Sequence, residues 1–275
     1  MRIKQIALAI FSVSVTGSAL AGGFSLSEQS VSAMGTANAG RASNAQDASV
    51  VYNNPAAMHL LKQAQFTQAV AFIDAQTKIK NVTAPFGGTN DGDMVPHTFI
   101  PSGYFTSGDK GGWAWGLGVY GSFGLKTNYE STFAGRHLGD KSSVKVTTIQ
   151  PALSYRINDK VSVGFGPTIN KVDALLTKNV AAFTVGAIAN TELKGDDYGY
   201  GYNLGIHAVL DENTSAGVVY RSKVKYKIDD GTLTTTGIGG PGGIGGAGTY
   251  TAATGLSTPE GVELALSHKK KKKNT

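Results

Sequence analysis

The sequence predicts an all-β fold, an antiparallel transmembrane β-barrel preceded by an N-terminal plug. Three observations carry this. After residue 64, apolar and polar residues alternate with period two, the pattern of strands whose two faces meet different surroundings. The connections between these segments alternate in length, long and then short. The composition, with 37 Gly in 275 residues, 16% charged residues and no Cys, suits strands and turns better than helices. The same figures exclude a disulfide scaffold or a thiolate metal site. The glycines lack the period of three that collagen needs. Beyond the extreme N-terminus no run of ~18 apolar residues would make a membrane helix.

Residues 1–21 read as a secretory signal peptide. Arg2 and Lys4 form the positive region, Ile6 to Val15 the apolar region, and Ala19-Leu20-Ala21 the cleavage site. A membrane anchor fits less well, because the apolar stretch is short and holds Ser12, Ser14 and Thr16. The net charge of +6 owes two charges to this leader and five to Lys269 through Lys273. Without those seven the body carries about −1, so charge gives no argument for nucleic-acid binding.

Residues 22–60 do not alternate and are rich in Gly, Ala and Ser. They read as a compact plug or hatch, with a disordered leader as the alternative. Strands are expected near 65–80, 95–107, 113–124, 142–157, 160–178, 197–210 and 214–230, with an eighth beginning at 259. In 161–170, Val161, Val163, Phe165, Pro167 and Ile169 share one face, and Ser162, Gly164, Gly166, Thr168 and Asn170 share the other. A soluble sandwich alternates too. The loop lengths favour the membrane: 81–94, 125–141, 179–196 and 231–258 are long, whereas 108–112, 158–159 and 211–213 are short. Short periplasmic turns and longer external loops mark outer-membrane barrels, and closure satisfies every backbone group in lipid. The barrel portion is thus 61–268, and 269–275 is an aberrant basic tail.

Several short motifs, in order, resemble FadL-type outer-membrane long-chain fatty acid transporters. Gly23-Phe24-Ser25-Leu26-Ser27-Glu28, Gly35, Ala39-Gly40, Asp47-Ala48 and Asn54-Pro55-Ala56 are similar to that family's hatch. Phe123-Gly124-Leu125-Lys126-Thr127 with Phe133-Ala134-Gly135-Arg136 looks like its third strand and following loop. Pro151 to Asn158, Val161 to Gly164, Gly195 to Gly205 and Val219 to Lys223 continue the likeness. The resemblance implies a 14-stranded barrel with an internal hatch, a monomer when whole, residence in the Gram-negative outer membrane, and insertion by the barrel assembly machinery. It implies capture of hydrophobic ligands outside and release through the wall past a kinked third strand. The hatch-gating residues would then be Asn54, Pro55, Ala56, Gly118 and Gly121, and Gly116 and Gly124 add to the strand's glycine density. Simple packing against the hatch is the competing reading of these glycines. The chain holds only seven strands and part of an eighth, an incomplete barrel. An eight-stranded barrel has no room for a plug. The lysine run replaces a terminal aromatic strand end, which reads as a premature stop after slippage in an A-rich tract. The alternative is a basic tail touching anionic lipid headgroups.

A fatty acid needs apolar walls and a cation for its carboxylate. The expected ligand residues are Phe24, Leu26, Met34, Arg156, Arg221 and Lys223, with Val31, Lys225 and Lys227 as neighbours. The lysines also suit an ordinary polar lumen, and Arg136 reads as an exposed structural residue. The stretch 237–248 lacks the Lys-Ser/Thr of a phosphate loop. The five His are scattered without metal-ligand spacing, so no metal and no cofactor is expected. The leading function is passive transport of long-chain fatty acids or similar hydrophobic compounds. Its alternatives are aromatic-hydrocarbon uptake and a non-functional truncated product with exposed edges. A lipid hydrolase is remote, since His207 has no clear Ser partner. The expected partners are the hydrophobic ligand, outer-membrane lipids and the assembly machinery, with no nucleic acid.

Overall fold

A computed structural model describes residues 24–84, 87–90, 93–182, 187–236 and 247–269. Ten strands form one antiparallel sheet: β1 (Gln65–Ile73), β2 (Thr98–Thr106), β3 (Trp113–Asn128), β4 (Lys141–Arg156), β5 (Val161–Ala182), β6 (Ala187–Val209), β7 (Thr214–Arg221), β8 (Val224–Thr235), β9 (Gly248–Thr258) and β10 (Gly261–His268). The order is β1-β2-β3-β4-β5-β6-β7-β10, while β8 pairs with β6 and β9. The sheet curls around the N-terminal residues and is not closed by pairing of β1 with β10 among the described residues.

The alternation decides the faces. In β3, Trp113, Trp115, Leu117 and Val119 are exposed, while Ala114, Gly116, Gly118 and Tyr120 are buried. The large apolar side chains point away from the molecule and the small or polar ones point in. In water such a continuous apolar exterior would drive aggregation; in a bilayer it meets its solvent. From Ala208 to Tyr198 the outward face climbs about 25 Å, at ~3.3 Å per residue and a tilt near ~40°.

The structure corrects several expected boundaries. The expected long loop 179–196 is instead a hairpin, with β5 and β6 pairing as far as Ala182↔Ala187. The expected single strand 214–230 is β7 followed by β8, broken at 222–223. Its cause is local: Ser222 N–H donates to Tyr202 O at 2.9 Å, and Ser222 Oγ accepts from Tyr202 N–H at 2.8 Å, so the ladder ends there. Beyond the break β8 lies inside the curl. Val224 and Tyr226 join Val146 and Val172 in a buried cluster. A Cβ on Gly199 would meet Val224 at 2.5 Å and Tyr226 at 2.7 Å. These apolar residues therefore pack inward against β6 and do not face lipid. The expected loop 231–258 contains the end of β8 and all of β9, and Pro259 interrupts the path between β9 and β10. Counted as continuous tracks, β7/β8 and β9/β10 make the seventh and eighth strands. The leader 1–21, most of the Gly-rich stretch 237–248 and most of the lysine run lie outside the described residues.

Residues 24–64 sit within the curl. Two helical turns, Val31–Met34 and Val50–Asn53, and a 3₁₀ helix, Pro55–Leu60, shape them. Ser30 Oγ accepts from Ala33 N–H at 3.2 Å and caps the first turn. Pro55 opens the 3₁₀ helix, where its missing N–H costs nothing, and Asn54 Oδ1 caps it by accepting from Ala56 N–H at 3.0 Å. Val50, Val51, Tyr52, Ala57 and Met58 pack against Tyr104, Ala114, Tyr120 and Ala152 of the wall.

Candidate wall gap and lumen cavity

Three elements build the site: the upper half of β3, the end of β2, and the first described residues of the chain. The β2–β3 ladder holds only from Thr106↔Gly116 to Ser102↔Tyr120. Above it β3 pairs with β4 alone, through a bulge between Gly121 and Phe123. A bulge adds a residue and bends its strand, and glycine tolerates the bend. The abandoned edge of β3 is filled by residues 24–26. Gly124 N–H donates to Phe24 O at 2.8 Å, Leu26 N–H donates to Ser122 O at 3.3 Å, and Ser25 and Phe123 form an antiparallel bridge. The Phe24 and Phe123 rings lie 5.3 Å apart. A Cβ on either Gly121 or Gly124 would meet the Leu26 side chain at 3.3 Å. The N-terminal segment is thus a short strand inserted in a wall gap, and glycine clears the space for its side chain.

Behind the gap lies a cavity of about 350 Å³, lined by Ser25, Tyr52, Tyr120, Phe123, Arg41, Arg221, Glu263 and residues of β4 to β6. Arg41 Nε and Nη2 each donate to the Glu263 carboxylate at 2.8 Å, and Arg221 Nη1 donates to it at 3.1 Å. The Arg221 guanidinium lies 4.4 Å from the centroid of the Tyr52 ring, a cation–π contact. Two guanidiniums thus share one carboxylate, and Arg41 Nη1 and Arg221 Nε are buried without a hydrogen-bond partner. The other walls are polar but satisfied: Tyr120 OH donates to Gln150 Oε1 at 2.6 Å, and Thr148 Oγ1 donates to Asn170 Oδ1 at 2.7 Å.

The hatch is fixed to the wall by hydrogen bonds, most of them accepted by its own carbonyls. Asn54 Nδ2 donates to Ala42 O at 2.7 Å and to Ile206 O at 3.1 Å. Ser162 and Ser154 both donate to Ala56 O, at 2.8 and 3.2 Å. Gln150 Nε2 donates to Val51 O at 2.9 Å, Tyr104 OH to Gln29 O at 2.7 Å, and Arg221 Nη2 to Tyr52 O at 3.1 Å. Glycine again clears the space: a Cβ on Gly164 would collide with the Pro55–Ala56 backbone, on Gly205 with Asn54 Oδ1, and on Gly217 with Ala42 O. Gly116 plays this part toward Val51 and Met58, and Gly118 lies against the Tyr104 ring. His59, in the hatch, has its pKa lowered by burial, against the opposing effect of its hydrogen bond to Ala56 O.

The structure brings together Phe24, Leu26 and Gly121 at the gap, Asn54, Pro55 and Ala56 at the anchor, and Arg221 at the cavity. Arg156 lies elsewhere. It sits at the short-turn end, 3.3 Å from Asp109 and 3.8 Å from Asp159, and does not line the cavity. Lys223 falls at the β7–β8 break, exposed and also outside the cavity lining. Met34 ends a hatch turn with 39% of its surface exposed and lines neither site. Sequence reasoning missed Arg41 and Glu263, which lie 222 positions apart and carry no local signal of pairing.

A family model described as outer membrane protein transport protein (OMPP1/FadL/TodX) matches residues 12–275. The long-chain fatty acid transport protein of Salmonella typhi is 29% identical over 237 residues, covering 80% of this chain and 54% of its own length. The 47 kDa outer membrane protein of Pasteurella multocida is 33% identical over 239 residues, covering 81% and 54%. The chain thus spans about half the length of these relatives. In fold it is similar to a Pseudomonas aeruginosa FadL homologue (TM-score 0.76, 18% identity, 92% of this chain and 67% of that one). It is also similar to the Ralstonia pickettii toluene transporter TbuX (TM-score 0.59, 18% identity, 84% and 65%). The chain is an outer-membrane β-barrel protein of the Gram-negative type, and it belongs to the OMPP1/FadL/TodX family of outer membrane transport proteins.

Proposed function

We propose that this chain forms the hatch and adjoining wall of a passive channel for long-chain fatty acids. One observation carries the choice of ligand: in the cavity behind the gap, Arg41 and Arg221 share the single carboxylate of Glu263. Glu260 also lines the cavity and is held by Tyr220 OH at 2.7 Å, and the two buried arginine N–H groups left unbonded favour an anionic headgroup over a neutral aromatic ring. The tail would leave through the β2–β3 gap when residues 24–26 withdraw from the edge of β3. Three residues paired by two backbone hydrogen bonds form a small enough contact to open while the wall stays paired.

The test is uptake by cells that lack their own fatty-acid channel and express this chain. Labelled oleate enters faster than in vector controls, toluene does not, and Arg41→Gln with Arg221→Gln lowers oleate uptake about tenfold. Faster toluene entry without oleate entry would select the aromatic reading. Entry of neither would overturn transport.

A further inference from the structure

The outward face of β3 to β6 changes character toward the long-loop end. Strand registers align Val119, Ile149, Ile169 and Tyr200 as the last wholly apolar row. The next row is Gly121, Thr147, Lys171 and Tyr198; then Gly124, Lys145, Asp173 and Asp196; then Lys126, Ser143, Leu175 and Lys194. Lys171 lies 3.3 Å from both Asp173 and Asp196, so it holds these two carboxylates between its neighbours. Lys126, Lys145 and Lys194 are exposed and make no ion pair among the described residues. The longer connections, 74–97 and 129–140, lie at this end, and the short turns 107–112 and 157–160 lie at the other. Longer loops face outward in such barrels, which puts the lysines at the headgroup level of the outer leaflet.

We propose that this face binds a phosphorylated glycolipid of the outer leaflet, of the lipopolysaccharide class, through its phosphates. Spacing selects that headgroup. Lys126 and Lys194 stand three strands apart, about 14 Å at ~4.8 Å per strand, with Lys145 between them and one row nearer the apolar band. A glycerophospholipid offers one phosphate at one depth. A disaccharide bearing two phosphates spans this width, its acyl chains lying along the apolar rows below. Lysine serves here as a flexible point charge that reaches from the wall. This inference requires only residence in the outer membrane, so it stands or falls apart from the identity of the transported ligand.

The test is the glycolipid retained by the full chain extracted from outer membranes in mild detergent, measured by mass spectrometry per mole of protein. Lys126→Gln, Lys145→Gln and Lys194→Gln together lower retention at least ~tenfold. The three Lys→Arg changes at the same positions hold it within ~twofold. So do Lys110→Gln, Lys160→Gln and Lys225→Gln, which lie away from this face. Where the triple Gln variant does not accumulate, Lys126→Gln with Lys194→Gln is read in the same way. Unchanged retention in the Gln variants would overturn the proposal. So would equal loss in the Arg or remote-lysine variants, or equal displacement of the glycolipid by phosphatidylglycerol vesicles.

Discussion

Asn54 uses its whole side chain. Its amide donates to one hatch carbonyl and one wall carbonyl, and its oxygen caps the helix that begins with Pro55. Replacing Asn54 by Ala removes the cap and the tie to β6 together, a loss of about 2 kcal/mol in hatch docking. Limited proteolysis of the folded protein should then cut within residues 42–60 before it cuts any strand. His59 makes docking pH-dependent. Its pKa is held below the ordinary value by burial, so the undocked form binds the proton more readily. Docking is at full strength above about pH 6.5 and weakens as pH falls below it. Lys62, Asp109 and Arg156 act on His59 from nearby, and the His207 ring lies 5.4 Å away. Once the base-catalysed intrinsic rate is divided out, the amides of residues 54–60 should be less protected at pH 5.5 than at 7.5, and His59→Gln should shrink that difference.

At the level of elements, the hatch meets the last strand only through side chains far apart in sequence. Arg41 and Arg221 converge on Glu263 of β10. Glu263→Gln leaves two guanidiniums facing each other without a carboxylate, which costs about 2 kcal/mol at this partly exposed site. The expected result is faster amide exchange in the hatch and at β10, with β3 to β5 unchanged. Elements differ in how far they could be read from sequence. β3 and β4 alternate large against small, and their positions follow from that pattern. Residues 171–182 hold Asp173, Lys178 and Asn179 in no strict alternation, so the hairpin of β5 and β6 beyond the apolar band was not legible. It forms because each strand pairs with the other where neither face needs lipid. The inward turn of β8 was hidden for a related reason. Val224, Tyr226 and Ile228 are apolar as a lipid-facing row would be, but the glycines of β6 that receive them lie more than twenty positions away. Of the β3 glycines, Gly121 sits at the bulge, Gly118 lies against the wall ring of Tyr104, and Gly116 and Gly124 leave room for Val51 and Leu26 of the N-terminal segment, a distinction that only tertiary contact makes.

The whole molecule is ordered by one inversion: the wall strands turn their large apolar residues outward and mostly small or polar residues inward, and the N-terminal hatch fills the interior with a compact apolar cluster of its own. That inversion was readable from alternation and loop length. The cavity and its arginines were not, because they depend on which hatch residue meets which strand. The central claim is that residues 24–26 form a removable piece of the wall. Since the chain has no Cys, Ser25→Cys with Phe123→Cys places a single thiol pair across the observed bridge, within disulfide reach for facing strand residues. In isolated outer membranes this pair should oxidise readily, oleate uptake should fall to background, and reduction should restore it. Failure of the disulfide to form, or uptake that persists once it has formed, would contradict the account.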